Sequence, residues 1–242
     1  MKAKISLEFK ATDADKSAER GDIIIVIDVL RCGTSIVNAL ANGAQSVVPT
    51  ATLEEAYELH SQHPNFLLAG ERIGLKPKGF DLGNSPLEFT SEKVCGKNLI
   101  MTTTSGTMAL VRSKRAEWVF VGAFLNSGSV ANKTVEVAEK EGKDVSLVLS
   151  GEKGKFSLED FLCAGAIVER FPASKVSYSD SILAALLAFQ QTENSLCKTV
   201  MKAEHARNLV KMGFRNDIEF SCQLDVLREV PIYRNGKIVL FK

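Results

Sequence analysis

Charged and hydroxyl-bearing side chains follow several apolar segments of this 242-residue sequence, at points where strands are predicted to end. Asp28 interrupts the apolar run 22–30, and Arg31 follows three residues later. A buried carboxylate is costly unless it is paired, hydrogen-bonded or bound to a metal. An aspartate that caps the next turn is the simplest alternative, but the nearby arginine favours a site for an anion or a metal ion.

A turn rich in hydroxyl groups, 102–107 (TTTSGT), has the composition of a phosphate-binding loop. Hydroxyl groups and backbone amides both donate to phosphate oxygens, and a single glycine precedes the predicted helix. Ordinary capping of that helix is the alternative. Because a cap rarely needs so many hydroxyl groups, the pattern favours phosphate.

The segment 71–86 combines charged side chains with glycines and prolines that prevent a helix. Glu71 and Arg72 directly follow a predicted strand, and Phe80 and Leu82 can anchor the loop. The anchored loop would turn two polar side chains inward, Asp81 and Asn84. A purely structural loop, braced by its own arginine and acids, is the alternative. Long polar loops with fixed apolar anchors are commonly functional, so we expect this loop to close over a ligand.

Other candidate groups are more scattered. Asn126 follows a predicted strand, whereas Glu159 and Asp160 begin a predicted helix and would either bind a metal or cap the helix. The stretch 151–157 (GEKGKFS) lacks the spacing of a P-loop. The three histidines, His60, His63 and His205, are not expected to serve as catalytic bases.

The elements that position these residues follow from the apolar pattern. Short aliphatic runs alternate with longer amphipathic segments, which is typical of parallel strands joined by crossover helices. We therefore predict an α/β fold with three α/β/α layers and a largely parallel or mixed sheet. Ligands bind at the carboxyl ends of strands in such sheets, so the polar residues are expected to meet at one edge. The predicted strands are 22–30, 46–50, 66–70, 98–103, 118–124 and 144–151, and the helices between them are 33–43, 52–62, 105–114, 127–142 and 157–171.

No low-complexity linker divides the chain, so we expect one compact α/β body over residues 1–242. Segments 27–40 and 100–111 both run from a strand through a Gly-Thr turn into a helix. This likeness suggests two similar βα-built halves, 22–96 and 97–175. The remaining part, 176–242, is predicted to be helical to about residue 212 and then to form short strands around an Asn235-Gly236 hairpin turn.

Composition limits the classes of function. The chain has 30 Lys and Arg residues against 29 Asp and Glu residues, so no overall field would attract nucleic acid or an anionic membrane. The longest apolar runs are too short to span a bilayer, and no secretory signal is evident, which predicts a cytoplasmic protein. Five scattered cysteines without a C-x-x-C pair are expected to be reduced thiols rather than disulfides or zinc ligands.

Taken together, six segments resemble the 2-phosphosulfolactate phosphatase family. They are 27–35 (IDVLRCGTS), 69–86 (AGERIGLKPKGFDLGNSP), 102–107 (TTTSGT), 123–131 (AFLNSGSVA), 154–167 (GKFSLEDFLCAGAI) and 209–231 (LVKMGFRNDIEFSCQLDVLREVP). The resemblance implies an α/β fold, a homodimer and a Mg2+-dependent phosphatase for phosphate monoesters of small 2-hydroxy acids. In organisms that make coenzyme M, the implied substrate is 2-phospho-3-sulfolactate. Two loops depart from the common family pattern, at 32–34 and at 103–107.

The resemblance and the charge of such a substrate together suggest roles for the candidates. Arg31 and Arg72 are predicted to offset the negative charge of the substrate, and Asp28 is either a nucleophile or a metal ligand. Glu71, Asp81 and Asn84, which belong to one loop, would close the site. The predicted phosphate or substrate contacts are Gly33, Thr34, Asp81, Asn84, Thr104, Ser105, Gly106, Thr107 and Asn126, and the candidate Mg2+ ligands are Asp28, Glu159 and Asp160. Two other functions stay open: another phosphoryl-transfer enzyme, and a non-catalytic anion-binding homologue.

Overall fold

Strands and helices alternate along most of the chain in the computed structural model, which describes residues 2–241. The strands are β1 (Ala3–Glu8), β2 (Ile23–Ile27), β3 (Ser46–Thr50), β4 (Leu67–Gly70), β5 (Asn98–Thr102), β6 (Val119–Gly122), β7 (Val145–Leu149), β8 (Val176–Tyr178), β9 (Pro231–Arg234) and β10 (Lys237–Leu240). The helices are α1 (Ala14–Arg20), α2 (Cys32–Ala41), α3 (Leu53–Gln62), α4 (Ser91–Val94), α5 (Gly106–Arg112), α6 (Ser127–Glu141), α7 (Leu158–Glu169), α8 (Asp180–Thr192), α9 (Leu196–Val200), α10 (Glu204–Lys211) and α11 (Arg215–Ser221). The predicted α/β class is confirmed.

Strand β2 is apolar at every position because helices cover both of its faces. Ile23, Ile25 and Ile27 pack into a core shared with α6, α7 and α8. Ile24 and Val26 point the other way, into a core shared with α2 and α5. Complete burial of each such side chain contributes about 1.5–3 kcal/mol to folding. The alternation of side chains along one strand thus produces the three predicted layers.

The sheet consists of two blocks of parallel strands joined by a hairpin. Its order is β4-β5-β3-β10-β9-β6-β2-β7-β1-β8. Strands β4, β5 and β3 run parallel, as do β6, β2, β7, β1 and β8. The hairpin β9–β10 pairs antiparallel with both blocks, and Asn235 and Gly236 at its turn have positive φ angles of 52° and 79°. This confirms the predicted hairpin, since a two-residue turn of this kind needs positive φ at both positions.

Strand direction reverses between the two blocks, because three antiparallel pairings separate β3 from β6. The expectation that the carboxyl ends of all strands share one edge of the sheet was therefore wrong, because the strands of the two blocks run in opposite directions. Residues that follow β2 and β7 in one block nevertheless line the same cavity as residues that follow β4 and β5 in the other. The site is assembled between the two blocks rather than along a single edge.

The C-terminal region differs in one respect from the pattern in the sequence. Residues from 217 onward were predicted to form short strands, but 215–221 form helix α11. The predicted halves, 22–96 and 97–175, interleave in the sheet, since β5 lies between β4 and β3 and β2 lies between β6 and β7. Duplication of the halves remains a prediction.

Candidate active site

A cavity of about 340 Å³ lies where the loops after β2, β4, β5 and β7 meet helix α10. Six of the predicted site residues line it: Asp28, Arg31, Glu71, Asn84, Thr104 and Ser105. Residues that the sequence did not single out as site residues complete the wall, including Glu152, Lys153, His205, Asn208 and Lys211. Polar groups that are far apart in the chain therefore converge on one site.

Asp28 is a buried acid of this cavity wall, and its side chain is tied to the start of α2. Its Oδ1 accepts a hydrogen bond of 3.1 Å from the backbone N–H of Cys32. Burial raises the pKa of Asp28 to about 7, although the charge of His205 and the bond from Cys32 act in the opposite direction; the charges of Glu71 and Glu152 add to the rise. The carboxyl group therefore changes charge near neutral pH.

Asp160 holds the loops on either side of Asp28 in place. Its Oδ1 accepts from the backbone N–H of Val29 at 2.9 Å, and its Oδ2 accepts from that of Gly151 at 3.1 Å. Burial, followed by the charge of Asp28, raises the pKa of Asp160 well above its usual range. Glu159 is also buried and lies 3.8 Å from His205, outside the cavity lining. Both candidate metal ligands on α7 therefore contact other groups of the protein: Asp160 accepts hydrogen bonds from the backbone, and Glu159 lies near His205.

The first residues of α2 and α5 meet beside Asp28, and this contact requires a glycine. A Cβ atom on Gly106 would lie 2.4 Å from Oδ2 of Asp28 and 2.6 Å from the Cβ of Cys32. Burial raises the pKa of the Cys32 thiol well above its usual range, so this thiol is neutral beside the carboxyl group. Gly106 thus allows the two loops to approach closely, and it lies outside the cavity lining, so its predicted contact with phosphate remains a prediction.

Glu71 connects the loop after β4 to the hydroxyl-rich turn after β5. Its Oε1 accepts from both the backbone N–H and the hydroxyl group of Thr104, at 2.8 and 2.9 Å. Its Oε2 accepts from the backbone N–H of Gly74 at 2.7 Å. Because both oxygens have donors, Glu71 orients the hydroxyl turn and the tip of its own loop.

The guanidinium group of Arg31 lines the cavity and is also anchored behind it. It forms a buried ion pair of 2.8 Å with Asp217, and it donates to the carbonyl oxygen of Gly74 at 2.7 Å. Its planar group lies 4.1 Å from the ring centre of Phe214. Asp217 in turn accepts from the hydroxyl group of Ser85. Arg31 thus joins helix α11 to both sides of the long loop after β4.

Arg72 and Asp81 lie outside the cavity lining, and each has partners of its own. Arg72 donates to the carbonyl oxygen of Glu71 and to the hydroxyl group of Thr102, both at 2.7 Å. Asp81 accepts from the backbone N–H of Leu68 at 2.8 Å. These bonds fasten the long loop to β4 and β5, and the predicted contacts of both residues with substrate remain predictions.

Four other predicted contact residues, Gly33, Thr34, Thr107 and Asn126, are fully or almost fully buried behind the loops. Thr34 donates to the carbonyl oxygen of Val29 at 2.8 Å. Thr107 donates to the carbonyl oxygen of Thr103 at 3.1 Å, and Asn126 accepts from the backbone N–H of Ala123 at 2.9 Å. In these contacts their polar groups stabilise the turns that carry the cavity residues.

His205 is the functional candidate that the sequence did not predict. Its Nδ1 lies 3.1 Å from Oε2 of Glu152, and the side chain faces the cavity from helix α10. Burial lowers its pKa, but the hydrogen bond and charge of Glu152, with smaller effects from Glu159 and Asp28, outweigh burial and raise it. The signal in the sequence is helical spacing, because cavity residues recur on one face of the helix and its end at 205, 208, 209 and 212.

Comparison with known proteins identifies the family. A family model described as 2-phosphosulpholactate phosphatase matches residues 9–236, which include every residue of the cavity wall. The chain belongs to the 2-phosphosulfolactate phosphatase family. Relatives named probable 2-phosphosulfolactate phosphatase include proteins from three organisms: Thermotoga maritima, 43% identical over 216 residues (89% of this chain, 91% of the relative); Symbiobacterium thermophilum, 39% over 226 residues (92% and 95%); and Clostridium beijerinckii, 37% over 239 residues (97% and 98%).

The 2-phosphosulfolactate phosphatase family consists of phosphoric monoester hydrolases, and the resemblance implies a magnesium ion. The oxygen donors of the cavity fit such an ion. Oδ1 of Asn84 is buried without a hydrogen-bond partner, and Oδ2 of Asp28 has no hydrogen-bond donor in residues 2–241. In the same residues, no three His, Cys, Asp or Glu side chains group closely enough to hold a cation by themselves. Mg2+ usually keeps several waters and takes only one or two carboxylates together with substrate phosphate, so a sparse set of donors suffices.

Proposed function

We propose that the protein is a Mg2+-dependent phosphatase that hydrolyses the phosphate monoester of a small 2-hydroxy acid. The proposed reaction converts 2-phospho-3-sulfolactate to 3-sulfolactate and phosphate, as the names of the relatives suggest. The observation that carries the proposal is the position of Asp28, a desolvated carboxyl group that lines the same cavity as Thr104 and Ser105 of the hydroxyl-rich turn.

The chain supplies several groups suited to binding the substrate. Ser105 lies in the cavity wall, where its hydroxyl group could donate to a phosphate oxygen, and Glu71 holds the turn in place by accepting from both donors of Thr104. Arg31, Lys153 and Lys211 bring positive charge to the cavity wall, which favours an ester with further acidic groups. These charges favour an ester with an additional acid group over a simple alkyl phosphate, which carries only the charge of the phosphate group.

Asp28 and Asn84 are the residues that would hold magnesium. The ion, when bound, would supply positive charge to the phosphoryl oxygens. Two roles stay open for Asp28: a ligand of this ion, or the nucleophile that attacks phosphorus and forms an acyl phosphate. In either role the carboxylate must be ionised, and Asp160 keeps the flanking backbone of Val29 in position.

The test is release of inorganic phosphate from a panel of 2-phospho-hydroxy acids, with Mg2+ and with a chelator. We expect fastest release from the sulfonated ester, loss of release in the chelator, and a loss of about 10²–10³ in rate for Asp28→Asn. Release that needs an acceptor or a nucleotide would instead indicate another phosphoryl-transfer enzyme. Absence of release from every ester would contradict the phosphatase assignment and leave an anion-binding protein.

We also propose that the protein acts as a homodimer in the cytoplasm and that its product feeds coenzyme M biosynthesis in organisms that make this cofactor. Among residues 2–241, none of the helices combines the length and the apolar character needed to cross a bilayer. Analytical ultracentrifugation of the full chain tests the dimer, since a single species of about 26 kDa at micromolar concentration would contradict it.

A further inference from the structure

Helix α10 places His205 in the cavity wall, and a contact with Glu152 fixes the orientation of its ring. Nδ1 of His205 is held by Glu152 at 3.1 Å, and the side chain is about four-fifths buried. The other ring nitrogen, Nε2, has no partner in residues 2–241. An imidazole that is fixed through one nitrogen presents the other in a defined direction, which is how acid-base groups are commonly positioned.

The surroundings of His205 favour the protonated ring. The carboxylate of Glu152 lies 3.1 Å from Nδ1, at hydrogen-bond distance, and this contact favours the positively charged ring. A protonated ring carries N–H groups at both nitrogens, so Nε2 is a proton donor. The contact with Glu152 therefore keeps a charged donor beside the substrate cavity.

Hydrolysis of the ester assigned under the proposed function requires such a donor. When the bond between phosphorus and the ester oxygen breaks, the electron pair stays on that oxygen. An alkoxide is a poor leaving group at neutral pH, so a positioned acid speeds this step by about 10²–10⁴. Phosphate esters of 2-hydroxy acids, whose leaving group is an alkoxide, therefore benefit far more from an acid than do aryl esters with stable phenolate leaving groups.

We propose that His205 is the general acid of this phosphatase and that Glu152 is its positioning residue. As Asp28 or water forms a new bond to phosphorus and the bond between phosphorus and the ester oxygen breaks, the proton on Nε2 moves to that oxygen and forms the hydroxyl group of the released acid. The electron pair of the N–H bond remains on the imidazole, which becomes neutral and regains a proton from solvent. The inference rests on the proposed phosphatase activity.

The deciding experiment compares leaving groups. His205→Gln keeps a hydrogen-bonding side chain but has no transferable proton near neutral pH. We expect its kcat to fall by about 10²–10⁴ on the 2-phospho-hydroxy acid, with little change in KM, and to fall far less on 4-nitrophenyl phosphate. The 18O isotope effect at the ester oxygen of the alkyl substrate gives a second readout, and we expect it to be larger in the variant because charge on that oxygen is no longer neutralised.

Matched variants separate this role from a structural one. His63→Gln changes an exposed histidine outside the cavity and should behave like the wild type. Glu152→Gln should show the same preference for the better leaving group, to a smaller degree. Equal losses of His205→Gln on both esters, or an unchanged isotope effect, would overturn the proposal. Failure of the wild type to release phosphate from any ester would instead overturn the proposed function, so the two failures are distinguishable.

Discussion

At the scale of single residues, Asp28 combines a position in the cavity wall with an energetic cost. The side chain is only 8% exposed, and its single described hydrogen bond offsets part of the lost hydration. Burial accordingly raises its pKa from 3.8 to about 7. The native state then binds a proton more tightly than the unfolded chain, which decreases the free energy of unfolding as pH rises from about 4 through about 7.

Asp28→Asn should therefore stabilise the protein at alkaline pH while it lowers the rate of phosphate release by about 10²–10³. The pKa change from 3.8 to about 7 corresponds to at most about 4 kcal/mol, so the variant should exceed the wild type by up to that amount at pH 8. The difference should shrink toward pH 4, where the carboxyl group is protonated in both states. Urea unfolding at several pH values, in the presence of a chelator, measures this dependence. A variant less stable than the wild type at pH 8 would show that another group already compensates the ionised carboxylate.

At the scale of elements, the ion pair between Arg31 and Asp217 connects the loop after β2 to helix α11. Both side chains are almost fully buried, at 2% and 4% exposed. Such a pair contributes little net free energy when intact, but removal of one partner leaves an uncompensated charge in the interior. The sequence suggested only a substrate role for Arg31, whereas the contacts show a structural one in addition.

Asp217→Ala should lower the free energy of unfolding by about 3–5 kcal/mol, because Arg31 would remain buried without its partner. Glu219→Ala on the same helix is the matched control, since it breaks an exposed pair with Arg215 and should cost no more than about 0.5 kcal/mol. Chemical denaturation of both variants at one pH measures the difference. Similar costs for the two variants would indicate that the buried arginine finds another partner.

The sequence predicted the central elements well because their signals are local. Strands such as β2 and β5 are continuous apolar runs, and helix α3 is capped by Thr52, whose hydroxyl group accepts from the backbone N–H of Glu55 as its spacing indicates. Helix α11 was missed because its mixture of polar and apolar residues resembles the alternation of a strand. The long-range contacts of Asp217 with Arg31 and Ser85, which favour the helix, are not visible in the sequence. No element was predicted for the first 21 residues, although Ile5 and Leu7 alternate with polar residues as a half-buried strand requires, so β1 and α1 were missed.

The site was only partly predictable, for a different reason. Polar residues at strand ends serve either the ligand or the backbone, and the sequence does not distinguish these uses. Asp28 and Thr104 face the cavity, whereas Asn126 and Asp81 donate to or accept from nearby main-chain groups. His205 entered the site through the packing of α10 over the cavity, which is a long-range arrangement.

At the scale of the whole molecule, the hairpin β9–β10 joins the two blocks of parallel strands. Ile238 is fully buried and pairs with Val47 of β3, and Ile232 pairs with Phe120 of β6. No hairpin residue lines the cavity. Its contribution to function is therefore indirect, since it fixes one block relative to the other.

Ile238→Ala should lower the free energy of unfolding by about 2–5 kcal/mol, because a cavity replaces a well-packed side chain. Leu240→Ala in the same strand, where the side chain is 38% exposed, should change stability far less. Unfolding followed by fluorescence of the single Trp118 and by far-UV circular dichroism tests whether the blocks separate. We expect coincident transitions in both variants, and distinct transitions would show that the blocks unfold independently.

Strands β2 and β5 each lie in the sheet between strands that are not their neighbours in the chain, and this affects the order in which the sheet can form during synthesis. A nascent chain that ends near residue 96 holds β3 and β4 without the strand that separates them, and it holds β2 without either strand that flanks it in the finished sheet. The block of β3, β4 and β5 gains its central strand only when β5 has emerged at residue 102, and the other block lacks a strand until β8 has emerged at residue 178. Synthesis of the N-terminal half therefore cannot be accompanied by completion of the sheet. Maturation of this enzyme therefore depends on late, long-range strand insertion, a step at which a ribosome-associated chaperone would have the most to protect.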